Sequence, residues 1–256
     1  MISPLAYVDP SAKIGKNVTI HPFAYIDKNV EIGDDNVIMP YVSILSGARI
    51  GNGNTFYQGA VISAVPQDFH FRGEDTIARI GNNNTVREYA VIIRATHADG
   101  ETRVGDNNFI MQAARLSHDA HVGNHIVVGN GSQVSGDTTI EDHAVLCSCV
   151  LMQPHTRVGQ WAFVQGGCSF NKDIPPYIIA AQNPTVYHGI NKIVLSHFGV
   201  SERVLRHITN AYRLIFQGNT INLDDAVDKV RDQVPMSEEI ENIIRFCKET
   251  KLGLIR

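Results

Sequence analysis

Residues 14–33 read IGKNVTIHPFAYIDKNVEIG, with an aliphatic side chain at Ile14, Ile20, Ile26 and Ile32. The spacing of six fits neither the 3.6-residue period of a helix nor the alternation of a long strand. Stepping outward keeps the phase. Toward the amino end come Val8 and Ile2; toward the carboxyl end come Ile38, Ile44, Ile50, Phe56 and Ile62, then Ile80, Val86 and Ile92. Val104 resumes the series, which runs through Ile110, Leu116, Val122, Val128, Val134, Ile140, Leu146, Met152 and Val158 to Val164. Of 28 positions, 25 are aliphatic, Met or Phe, and the misses Asp68, Glu74 and Ala98 fall in two segments that interrupt the phase.

A second column supports the first. Two residues before many of the aliphatics stands a compact residue, as at Ala24, Ala48, Ala60, Ala90, Ala114 and Ala144. After them comes turn chemistry, as in Gly33-Asp34-Asp35-Asn36, and the expectation is that Gly, Asn and Asp serve corners with positive φ. The pattern describes a coil of three short faces, each turning one aliphatic inward. One coil cannot cover its own apolar residues, but stacked coils can. The predicted fold is therefore mainly β, a parallel β-helix over residues 1–172.

Ile62 to Ile80 spans 18 residues and Ile92 to Val104 spans 12, where six would serve. Loops near 63–79 and 93–103 should therefore leave the prism and offer binding groups from a rigid scaffold. Past Phe170 the repeat stops. Asp173-Ile174-Pro175-Pro176-Tyr177 predicts an extended linker over 173–190, because proline disfavours helix and central strand. A small helical domain should fill 191–256: one helix capped by Ser201 and ended by Gly218, a second over 223–234, and a third, capped by Ser237, over 238–248.

The formal net charge is −4, without a basic block. Nucleic acid is a poor partner for such a chain. No window is long and apolar enough to span a membrane, and the start Met1-Ile2-Ser3-Pro4-Leu5 has no export signal. Four scattered cysteines fit reduced thiols, so the expected location is the cytoplasm.

His118 stands two residues past the inward Leu116, so it should face out, with Gly136 one coil further on the same face. A neutral imidazole beside a glycine N–H suits acyl transfer to a hydroxyl, as general base and oxyanion donor. Asp119 is placed to fix the imidazole tautomer. A solvated surface histidine is the competing account. A metal held by His118, His121 and His125 is disfavoured, since their side chains should diverge.

Pro66-Gln67-Asp68 with Gly73-Glu74, Ser117-His118-Asp119, Val122-Gly123-Asn124, Gly166-Gly167-Cys168 and Asn210-Ala211-Tyr212 resemble motifs of the UDP-N-acetylglucosamine O-acyltransferases of lipid A biosynthesis. The resemblance covers the whole chain. It implies a left-handed β-helix, an acyl chain delivered by acyl carrier protein, a nucleotide-sugar acceptor and a homotrimer with sites between subunits. It implies no cofactor, because the carrier's phosphopantetheine arrives as part of a co-substrate. By that resemblance His118 is the base, Asp119 its support and Gly136 the oxyanion donor. Gln67, Asp68 and Asn191 would contact substrate, and Gly166 would lie at the acyl-length ruler. His70, Arg115, Asp137, Gln153 and His197 occupy further substrate positions but depart from the family's residues, as do Pro154, Ile193 and Phe198. A divergent paralogue with another acceptor sugar, and a β-helix that binds without catalysis, remain as alternatives.

Overall fold

The computed structural model describes residues 1–217 and 222–256. The amino-terminal part is a parallel β-helix whose strands are mostly two residues long. Three sheets form its faces, with nine, eight and ten strands among the described residues. Strands three apart in the chain are neighbours, as in Tyr25↔Ser43 and Ile26↔Ile44. We call the sheet holding Val61–Ala64 the first, that holding Ile77–Ile80 the second, and that holding Thr85–Val86 the third.

The six-residue column is the core. Ile20, Ile26, Ile38, Ile44, Phe56, Ile62, Val86, Ile92 and Ile110 have no exposed surface. Burial of each such side chain contributes roughly 1.5–3 kcal/mol. The compact column becomes an amide ladder along one edge. Asn36, Asn54, Asn84 and Asn108 are buried, and each Oδ1 accepts a backbone N–H from the following coil, as Asn54 Oδ1 does from Asn84 at 2.9 Å. Their amide nitrogens donate to carbonyls such as Gly81 and Gly105.

The glycines do another job than expected. Gly15, Gly33, Gly51, Gly105 and Gly123 do not carry the positive φ. A Cβ on Gly33 would lie 2.7 Å from the Gly51 carbonyl oxygen, so these glycines answer to close backbone stacking. The left-handed corners fall instead on residues such as Asn17, Asp35, Tyr41, His125 and Trp161. Bulky residues are tolerated there because they stack coil on coil: Phe23 on Tyr41 at 5.3 Å, His143 on Trp161 at 4.0 Å.

Both insertions leave at the corner between the first and second sheets, and the strands reach into the predicted loops. The first loop joins Val61–Ala64 to Ile77–Ile80, and the second joins Val91–Ile93 to Glu101–Val104.

The segment expected as an extended linker over 173–190 is extended, and much of it is paired as sheet. Ile178–Ala181 pairs in parallel with Phe163–Val164, and Val186–Ile190 returns antiparallel on it. Prolines 175 and 176 sit before this strand, where no ladder N–H is needed. Four helices follow among the described residues: α1 Lys192–His197, α2 Glu202–Phe216, α3 Leu223–Gln233 and α4 Glu238–Glu249. The short α1 was not expected. Ser201 caps α2 by accepting from the Val204 N–H, whereas Ser237 makes no such bond to α4. The predicted stop at Gly218 lies outside the described residues. Tyr212 anchors the helices to the prism by donating to the Pro176 carbonyl. No helix among the described residues is long and apolar enough to cross a membrane.

Candidate active site

His118 lies between Arg115–Leu116 of the first sheet and His121–Val122 of the second, at the corner from which both loops spring. Its side chain is only 16% exposed. Asp119, in the left-handed corner conformation (φ 58°), accepts from His118 Nδ1 at 2.9 Å. Asp119 is itself held: the Thr96 N–H donates to its Oδ2 at 2.9 Å, and its own N–H donates to Thr102 Oγ1 at 2.8 Å. With Nδ1 held against the carboxylate, the ring is oriented so that Nε2 faces away from Asp119.

Gly136 stacks directly on the imidazole. A Cβ there would come within 2.4 Å of His118 Cε1 and 2.6 Å of Nε2, so only glycine leaves room for the ring. The Gly136 carbonyl accepts from the His155 N–H at 3.2 Å, while no acceptor takes its N–H among the described residues. On the corner between the second and third sheets, the next coil's Asn or Asp accepts such an N–H, as Asp142 does from Asn124. Here the next coil supplies Pro154, whose side chain has no acceptor to offer. A free backbone donor therefore lies against the imidazole.

The first loop brings Asp68 to the other side. Its Oδ2 is 3.4 Å from His118 Nε2, and its Oδ1 accepts from the backbone N–H and Nδ1 of His70 at 2.8 and 2.9 Å. Those bonds from His70, chiefly the backbone one, hold its pKa below the usual carboxylate value, so Asp68 is an ionised acceptor for substrate O–H or N–H groups. Gln67 Oε1 accepts from an Arg115 terminal nitrogen at 3.0 Å, and the buried Arg115 Nε has no partner. Asp137, one coil above Asp119, pairs with His97 Nε2 at 3.1 Å.

The structure thus gathers His118, Asp119, Gly136, Gln67, Asp68, His70, Arg115 and Asp137 at one corner. Gln153 lies on that corner, exposed. Three expected residues lie elsewhere on the protomer. Gly166 sits between Phe163–Val164 and Ser169–Phe170, at the corner of the third and first sheets. The Asn191 amide donates to the Trp161 carbonyl at 3.0 Å. His197 packs edge-on against Phe198, which meets Trp161 at 4.6 Å. His118, His121 and His125 do diverge: the corner just described, the second sheet's outer face, and a stack with His143. The sequence passed over His97, Thr96 and Thr102. The phase slip marks the loop holding the first two, but within a loop no period singles out a residue.

A family model described as UDP-N-acetylglucosamine O-acyltransferase, domain 2, matches residues 173–255, and one for bacterial transferase hexapeptides (six repeats) matches 29–64. The acyl-[acyl-carrier-protein]–UDP-N-acetylglucosamine O-acyltransferase of Alkalilimnicola ehrlichii is 42% identical, over all of this chain and 99% of that protein. The crystal structure of a UDP-N-acetylglucosamine acyltransferase from Bacteroides fragilis 9343 is 51% identical and superposes with a TM-score of 0.98 over 100% of both chains. That from Francisella novicida is 32% identical, with a TM-score of 0.96 over 100% of this chain and 94% of the other. The prism is the left-handed parallel β-helix of these structures.

Proposed function

The chain belongs to the acyl-[acyl-carrier-protein]–UDP-N-acetylglucosamine O-acyltransferase family, and on that premise we infer that it moves an acyl chain from acyl carrier protein to the 3-hydroxyl of UDP-N-acetylglucosamine, opening lipid A biosynthesis. The observation that carries the mechanism is the His118 ring lying between Asp119 and the bare Gly136. His118 Nε2 takes the proton of the sugar hydroxyl as its oxygen attacks the thioester carbonyl. The oxyanion forms against the Gly136 N–H, a donor already fixed and unpaired. Collapse expels the carrier's thiolate, which recovers the proton from the imidazolium. Asp119 holds the ring throughout and steadies its positive charge, while ionised Asp68 accepts from a neighbouring substrate group. No cofactor enters these steps.

Relatives sharing this description at 37–51% identity over the whole chain favour UDP-N-acetylglucosamine over another acceptor. The departures His70, Arg115 and Asp137 still bring polar groups to the His118 corner. Gly166, Asn191 and His197 lie off that corner, and residues on different corners of one prism meet only between copies. A homotrimer with shared sites accounts for them, in the cytoplasm where acyl carrier protein and the nucleotide sugar are available. Mass spectrometry of UDP-N-acetylglucosamine incubated with acyl carrier protein bearing a hydroxyacyl chain tests the activity: acylated nucleotide sugar is expected. No product, or product formed undiminished by His118→Ala, refutes the assignment. A monomer in sedimentation at micromolar concentration refutes the trimer.

A further inference from the structure

Asp119 and Asp137 hold the same corner position on successive coils, both with positive φ (58° and 56°). Coils repeat at about 4.8 Å, so the two carboxylates are stacked like charges. His97, carried on the second loop, points its Nε2 at Asp137 Oδ1 from 3.1 Å. One donor atom from each of the three lies within 4.8 Å of the others. They open on a cavity of about 410 Å³, also lined by Glu101 and His121. His155 Nδ1 approaches Asp137 from the other side at 3.9 Å.

The geometry points to a binding site for a divalent first-row cation such as Zn2+ or Co2+ at His97, Asp119 and Asp137. One imidazole and two carboxylates suit this class, with the open side left to water. Donor atoms about 2.1 Å from a tetrahedral ion lie about 3.4 Å apart, so donors at the 4.8 Å limit must close by about 1.4 Å. Exposed His97 is free to supply that movement on its loop. A cation here reduces the repulsion between the stacked carboxylates, to which His97, His118 and the Thr96 N–H already turn donors. It also draws charge from the carboxylate that holds His118 at 2.9 Å, which weakens the base, so the site is inhibitory. This last step rests on His118 being the base, but binding does not.

The test uses tag-free full-length protein titrated with Co2+, read by visible d–d absorption and equilibrium dialysis. One Co2+ per chain is expected, with affinity falling at least tenfold in both His97→Ala and Asp137→Asn. His97 is exposed on a loop, so its variant folds. Cys149, an exposed thiol, is the rival ligand, and Cys149→Ser must keep the spectrum. Zn2+ should then slow acyl transfer in the parent protein, but not in His97→Ala relative to that variant's metal-free rate. No binding, binding unchanged in His97→Ala, or binding lost in Cys149→Ser overturns the proposal. Absence of acyl transfer would leave the cobalt result standing and count against the function instead.

Discussion

Replacing Gly136 with alanine separates the two roles assigned to the His118 corner. The backbone N–H survives, so the oxyanion donor is retained. The new Cβ, however, would stand 2.4 Å from His118 Cε1 and 3.0 Å from Nδ1. Carbon atoms settle at about 3.5 Å, so the ring must retreat by about 1 Å. That movement breaks the 2.9 Å bond to Asp119 and takes Nε2 off the hydroxyl. A misplacement of that size costs about 10²-fold in rate. The stability loss is smaller, about 0.5–1.5 kcal/mol for one hydrogen bond, because an imidazole outside the prism can rotate without opening the core. Steady-state kinetics with acyl carrier protein as donor should show kcat/KM down about 10²-fold, beside a melting temperature lowered by only a few degrees. Activity within a few-fold of the parent would refute the contact between ring and glycine as a determinant of catalysis.

His118→Ala should lower kcat by about 10²–10⁴-fold with the fold intact, since the side chain contributes nothing to the aliphatic core; Asp119→Asn, which keeps the shape but loses the charge, should lower kcat more than it raises KM. Arg115→Ala should raise KM for UDP-N-acetylglucosamine roughly tenfold, the effect of one charge-assisted hydrogen bond, as measured by varying the nucleotide sugar at saturating donor. Asn84→Ala should destabilise the prism by at least about 2 kcal/mol in urea unfolding, because the amides and carbonyls stacked on it in adjacent coils lose partners while buried. An unaltered urea midpoint would mean that the amide ladder adds nothing to stability.

The β-helix was legible from Ile2 to Val164 because one side chain per six residues must reach a shared interior, and that demand is written as a period. The loops were legible as slips of the same period, and α2 as a capped apolar stripe from Ser201. The reason for the recurring glycines was not legible: only stacked coordinates show that Gly33 faces another backbone while the left-handed corner falls on Asp35. The strand Ile178–Ala181 was hidden behind two prolines that look like a linker, and six-residue α1 is too short to show a stripe. At the site, the phase put His118 and Gly136 on one face without the fold, because residues 18 apart stack in uninterrupted coils. It did not reveal that both insertions leave at His118's own corner, which depends on tracing three sheets through two phase slips. Nor did it reveal His97, Thr96 and Thr102 around the Asp119 and Asp137 carboxylates. The sequence by itself determined the repeating elements, because local periodicity and core burial obey the same spacing. Only the tertiary structure decided which loop atoms meet the imidazole, because loops carry no period and their contacts arise from where the scaffold releases them.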